Sequence, residues 1–161
     1  MTAPTTTGAT ASDRDVVADG LARLLADSYT LYVKTQGYHW NVTGPHFRSL
    51  HLMFEEQYLE LRDAVDEIAE RIRTLGPLAP GSCREMARLA RLAEEDGAPA
   101  AMDMVRRLAA DNATVATTAA EVQAAAEAAS DVATVDLVTQ RIAAHEKAGW
   151  MLRATVDGAG S

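Results

Sequence analysis

Apolar residues recur every three or four positions along most of the chain, a spacing that only a helix gathers onto one side. Val17, Leu21, Leu24, Leu25 and Tyr32 set the first such stripe and predict a helix that runs to about Trp40. Ser12 with Asp15 three residues on reads as its capping box. "NVTGP" breaks the pattern: Gly44 supplies a flexible turn, and Pro45 suits the first position of a new helix. At about 100° per residue, Leu50, Phe54, Leu61, Val65, Ile68 and Ile72 share a sector of roughly 60°, which predicts a second helix from about Pro45 to Leu75. "GPLAPG" ends it, and "SCREMARLARLAEEDG" predicts a short helical connector. An alanine-rich helix follows from about Pro99 to Ala129, with Met102, Val105, Leu108, Val115 and Val122 as its larger apolar residues. Ser130 with Asp131 opens the last helix, whose apolar residues are Val135, Val138, Ile142, Trp150 and Leu152. No segment alternates as a strand does. The expected fold is all-α: a four-helix bundle with a short helix in the connection between helices 2 and 3.

Composition narrows the class. A chain of 161 residues suits one domain with a real core, and 48% hydrophobic with 24% charged residues is a globular balance. The pattern divides it into a tail over 1–12, a helical domain over 13–157 and a short tail over 158–161. No apolar run approaches the ~18 to 20 residues needed to span a membrane. "MTAPTTTGATASDRD" does not read as a secretory signal, and the lone Cys83 has no internal disulfide partner, so a cytoplasmic address is expected. The formal charge of -8 disfavours a surface built to grip phosphate backbones.

The second helix carries a second stripe. His51, Glu55, Asp66 and Glu70 lie at roughly 100° to 200° from Leu50, off the core face. An ordinary di-iron bundle points its carboxylates inward and uses Glu-x-x-His pairs, and this chain has none. His51 and Asp66 are also separated by about 22 Å of helix, too far to share an ion. Yet His51 with Glu55, and Asp66 with Glu70, are each one turn apart and can act as two-point clamps. An antiparallel copy of the helix, related by a two-fold axis near Glu60 and Leu61, brings one chain's His51 and Glu55 to the other's Asp66 and Glu70. His39, near the end of the first helix, can lean over the same spot. Two imidazoles and three carboxylates suit Fe(II), with Zn(II), Mn(II) or Co(II) as competitors.

The stretch "HWNVTGPHFRSLHLMFEE", with Asp66 and "AER" at 69 to 71, resembles the signature of the Dps family, the miniferritins. The ligand spacings of twelve, four, eleven and four residues agree with that family's. The resemblance implies a ferritin-like fold and a hollow shell of twelve subunits. Ferroxidase sites with two irons each would lie at the two-fold interfaces, where Fe(II) is oxidised, preferably by hydrogen peroxide, and the Fe(III) product is stored as mineral. It also assigns roles. His39, Asp66 and Glu70 would hold the tighter iron, with Glu70 bridging, and His51 and Glu55 the weaker one. Glu55 stands where the family commonly has Asp, so its extra methylene changes the reach to the weaker iron.

Other residues have two readings each. Trp40 is either a packing residue or an interceptor of oxidising equivalents, while Trp150 and Tyr58 are expected to pack. Glu56, Glu60, Asp63 and Glu67 form a solvated face that, in a shell, could look inward and nucleate mineral. Asp131 and Asp136 either complement the dipole of the last helix or line a three-fold iron pore. His46 is expected at the surface and His145 in a structural role. DNA-binding members often use lysine-rich tails, absent here, and twelve copies would carry a formal charge on the order of -96. The rival reading, a nucleoid protein that mainly covers DNA, would demand binding that survives physiological salt.

Overall fold

In a computed structural model, residues 10–157 are described. The tails expected at each end fall mostly on residues 1–9 and 158–161, outside the described residues. Five helices and, among the described residues, no strand make up the subunit. α1 (Ala11–Asn41) and α2 (Phe47–Leu75) form one hairpin, and α4 (Ala101–Ala128) and α5 (Val132–Asp157) another. α1 packs on α4, while α3 (Cys83–Leu89), in the crossover from α2 to α4, lies against α1. This is the all-α four-helix bundle, with a short helix in the connection between the second and third long helices, expected from the helical periodicities.

The core is where the apolar stripes meet. Leu50, Phe54, Leu61, Ile68 and Ile72 of α2 are buried against Leu21, Leu24, Leu25 and Leu31 of α1, Leu108 and Val115 of α4, and Val138 and Leu152 of α5. Each such side chain stabilises the fold by ~1.5–3 kcal/mol relative to exposure. Two acidic groups inside the bundle are paired across helices. Lys34 of α1 donates to Asp111 of α4 at 2.7 Å. Asp27, fully buried on α1, accepts from the amides of Arg91 and Leu92 at 2.6 and 3.2 Å and from the Thr118 hydroxyl at 2.8 Å. One carboxylate thereby ties the irregular half of the crossover to both α1 and α4.

Three local expectations are corrected. α1 is capped by Thr10 and not by Ser12: the Thr10 side chain accepts from the Asp13 amide, and Asp13 accepts in return from the Thr10 amide. The Ser/Thr-x-x-Asp spacing occurs twice in succession, and the earlier copy adds a turn's fraction of helix. α2 begins at Phe47, two residues after Pro45. Gly44 has φ +103°, and Phe47 N donates to Gly44 O at 3.0 Å, so Pro45 and His46 are the central residues of a tight turn. Trp150, assigned to the apolar set of the last helix, is 61% exposed in the subunit; Gly149 and Leu152 are the buried positions beside it.

Candidate metal centre

The turn between α1 and α2 sets two histidines side by side. His39 lies in the last turn of α1, where carbonyls run out of helical donors. His51 lies in the second turn of α2. Their rings stack with centroids 3.8 Å apart and planes 17° from parallel. The pair exchanges backbone contacts. His39 Nδ1 is 2.8 Å from the carbonyl of His51, and His51 Nδ1 is 2.8 Å from the carbonyl of His39. A carbonyl only accepts, so each Nδ1 carries a proton, and in the neutral ring the lone pair lies on Nε2. Neither Nε2 has a hydrogen-bond partner among the described residues. An imidazole fixed through Nδ1–H to a carbonyl is the arrangement that orients a metal-ligating histidine. The negative end of the α1 dipole beside His39 adds a favourable field for a cation.

The pair is held from two more sides. Phe47, one turn before His51, stacks on its ring at 5.0 Å. Tyr58 meets the His39 ring edge-on at 5.2 Å and 66°. His39 is 7% exposed, whereas His51 and Glu55 are half-buried, on the side of α2 that faces away from its own core. Asp66 and Glu70 are exposed further along the same side. Among the described residues, no three His, Cys, Asp or Glu side chains converge within the subunit to hold a metal. The subunit therefore brings His39 and His51 together, with Glu55 one turn on, and leaves Asp66 and Glu70 as a separate pair. The donors themselves, neutral imidazole nitrogens and carboxylate oxygens, fit Fe(II).

The remaining candidates take varied places. Trp40 is 67% exposed beside His39. Glu56 and Asp63 are exposed, Asp63 within 3.0 Å of Arg62. Glu60 is held by a two-point contact from Arg141, a buried guanidinium on α5. Asp131 caps α5: it accepts from Thr134 N at 3.1 Å and from Arg71 Nη2 at 2.6 Å. Burial works to raise its carboxyl, but the Thr134 hydroxyl, the Arg71 guanidinium and the Thr134 amide together hold it below its ordinary value. Asp136 is exposed and accepts from Gln140 at 2.9 Å. His46 is exposed at the α2 N-terminus and makes no side-chain cap. Sequence reasoning missed the mutual backbone contacts of His39 and His51 and the Tyr58 ring against them. Phe47 and His51 do show the four-residue spacing of helix neighbours, a signal that was there to use.

Comparisons with known proteins agree with this fold. The family model for the ferritin-like domain matches residues 18–159. A low temperature-induced protein of Nostoc sp. is 41% identical over 153 residues, covering 94% of this chain and 86% of that one. The DNA protection during starvation protein of Brevibacillus brevis is 34% identical over 146 residues, covering 91% and 98%. Among solved structures, a Dps protein from Vibrio cholerae O1, described as a member of a broad superfamily of ferritin-like diiron-carboxylate proteins, aligns with a TM-score of 0.89 at 29% identity, over 97% of this chain and 98% of that one. Bundle and sequence define a ferritin-like protein. Within that class, the chain belongs to the Dps family.

Proposed function

We propose that the protein oxidises Fe(II), preferably with hydrogen peroxide, at sites shared by two-fold-related subunits, and stores the ferric product inside a dodecameric shell. One observation carries the reading. Two stacked imidazoles, each tied through Nδ1 to a carbonyl, stand at one end of α2, and two carboxylates one turn apart stand about 22 Å away on the same side of that helix. Neither half is a site alone. An antiparallel partner joins them twice per dimer.

His39 with the partner's Asp66 and Glu70 binds the tighter iron, and His51 with Glu55 the weaker one. Fixed ring orientation spares each Fe(II) the cost of ordering its imidazole ligand. Two Fe(II) beside one another deliver two electrons to one peroxide: two Fe(II), one hydrogen peroxide and two protons give two Fe(III) and two waters. No hydroxyl radical leaves the site. Glu56 and Asp63 are the first candidates for nucleating mineral, since Glu60 already engages Arg141. Asp136 is the freer of the two pore candidates, because Asp131 is engaged by Arg71 and Thr134. The setting is the cytoplasm. Protection of DNA, the role in the name of the Brevibacillus relative, follows here from removing both Fe(II) and peroxide. A chain of formal charge -8 gains little from covering DNA.

The test is an anaerobic Fe(II) titration followed by a stoichiometric peroxide pulse, with wild type against His51→Ala plus Asp66→Ala. Wild type gives rapid ferric absorbance and the double variant only background. A mixed dimer, with one chain altered at His51 and the other at Asp66, keeps one intact site. Equal background rates in wild type and double variant would sink the reading.

A further inference from the structure

We propose that Tyr58, Tyr32 and Tyr29 form an electron relay joining the two iron sites of a dimer, so that two half-filled sites can complete one two-electron reduction of peroxide. The relay rests on the ferroxidase reading above. It starts at a ligand: the Tyr58 ring lies edge-on to His39 at 5.2 Å. Tyr58 of α2 then meets Tyr32 of α1 at 6.1 Å and 64°, and Tyr32 meets Tyr29 at 6.1 Å and 44°. All three separations fall within the range of aromatic rings in contact. Tyr29 borders a solvent-open cleft of about 610 Å³ that is also lined by Asp63 and Asp66. In the proposed dimer Asp66 is a ligand of the other site, so the rings run along the subunit from one half-site to the cleft that borders the other.

The chain has four tyrosines, and the fourth stands apart. Tyr38 packs on Phe54 at 6.4 Å and donates its hydroxyl to Glu95 at 2.7 Å. Trp40 is exposed and takes no part in the ring series. Electron tunnelling weakens steeply with distance. One jump along about 22 Å of helix is therefore slow, whereas short steps between touching rings are fast.

The need arises at low iron. A site holding one Fe(II) can give peroxide only one electron, which would release hydroxyl radical. With the relay, one Fe(II), one tyrosine, one hydrogen peroxide and one proton give Fe(III), a tyrosyl radical and two waters. The phenol supplies the second electron and its own proton. The radical passes from Tyr58 through Tyr32 to Tyr29 by electron and proton exchange. At the far end, Fe(II) of the other site reduces it, with one proton taken up, and becomes Fe(III). The sum is the same two-iron reaction, divided between two sites.

The experiment uses the assembled protein with substoichiometric Fe(II), a peroxide pulse, rapid freezing and electron paramagnetic resonance. Radical yield is expressed per iron oxidised. Wild type is expected to show a transient radical whose hyperfine pattern collapses when the tyrosine rings are deuterated. Tyr58→Phe, which keeps the ring against His39, loses it. Tyr32→Phe leaves the radical stranded on Tyr58 and prolongs its life several-fold. Iron oxidation without a tyrosyl signal overturns the relay while leaving the ferroxidase reading intact. So does a signal that survives Tyr58→Phe and is lost in Trp40→Phe or Tyr38→Phe. An unchanged lifetime in Tyr32→Phe overturns the connection between sites. Absence of iron oxidation in wild type removes the ferroxidase reading and the relay with it.

Discussion

Two regions of the subunit present histidine in opposite ways. At the α1–α2 turn, His39 and His51 each use one ring nitrogen on a carbonyl and keep the other open. Between α4 and α5, His145 uses both. Its Nδ1 is 2.9 Å from Asn112 Oδ1, and its Nε2 is 3.4 Å from a guanidinium nitrogen of Arg141. Arginine only donates, so Nε2 accepts, Nδ1 carries the proton, and the ring is neutral. Asn112 passes the chain on to the Leu108 carbonyl at 2.8 Å. His145 is 2% exposed, and burial followed by the Arg141 charge pushes its pKa down to about 3. What separates the two proposed ligand histidines from the structural one is a single uncommitted nitrogen, and burial alone would not have told them apart: His39 is buried too.

The sharpest way to break the contrast is to remove one histidine from each region. His39→Ala is expected to lose more than the ~10–100-fold in iron affinity that follows loss of an outer partner of a metal ligand. Anaerobic calorimetric titration reads this, with the helical circular dichroism retained. His145→Ala should do the reverse. It leaves Asn112 Oδ1 without its donor and a cavity in the core, and costs about 2–4 kcal/mol in urea unfolding, with iron affinity per folded dimer unchanged.

Acid sharpens the same contrast. The folded pKa of His145 lies below the ordinary 6.5, so between those values the unfolded chain binds more protons than the folded one. Its contribution is therefore complete above pH 6.5 and is lost as pH falls toward about 3. The slope reaches up to about 1.4 kcal/mol per pH unit. Urea midpoints of wild type should fall more steeply between pH 6.5 and 4.5 than those of His145→Leu, which lacks the titrating ring.

Two smaller changes probe the open pair. Gly44→Ala forces a side chain onto φ +103°, at about 1–2 kcal/mol of stability. It should also weaken the first iron, because that turn sets His39 against His51. Glu55→Asp should alter the second Fe(II) binding step alone and leave the first unchanged in a stepwise titration.

The stripe of His51, Glu55, Asp66 and Glu70 was legible because a helix converts spacing into direction with no help from the rest of the fold. The burial of Leu50, Phe54, Leu61, Ile68 and Ile72 was legible for the same reason. The mutual carbonyl contacts of His39 and His51 were not, since they depend on how a tight turn superposes two helix ends. Nor was the Glu60–Arg141 pair, whose partners are 81 residues apart and belong to different helices. Trp150 shows the opposite failure: helical spacing placed it with the apolar set, yet α5 turns it outward.

Asp27 leaves a last consequence, in the currency of proton exchange with solvent. The crossover beyond α3 has no regular hydrogen-bonded ladder over Arg91 and Leu92. Yet both of their amides end on one buried oxygen in the heart of the bundle. In heavy water these two protons should linger with those of the core helices, long after their loop neighbours have exchanged. A stretch of coil would keep time with the bundle.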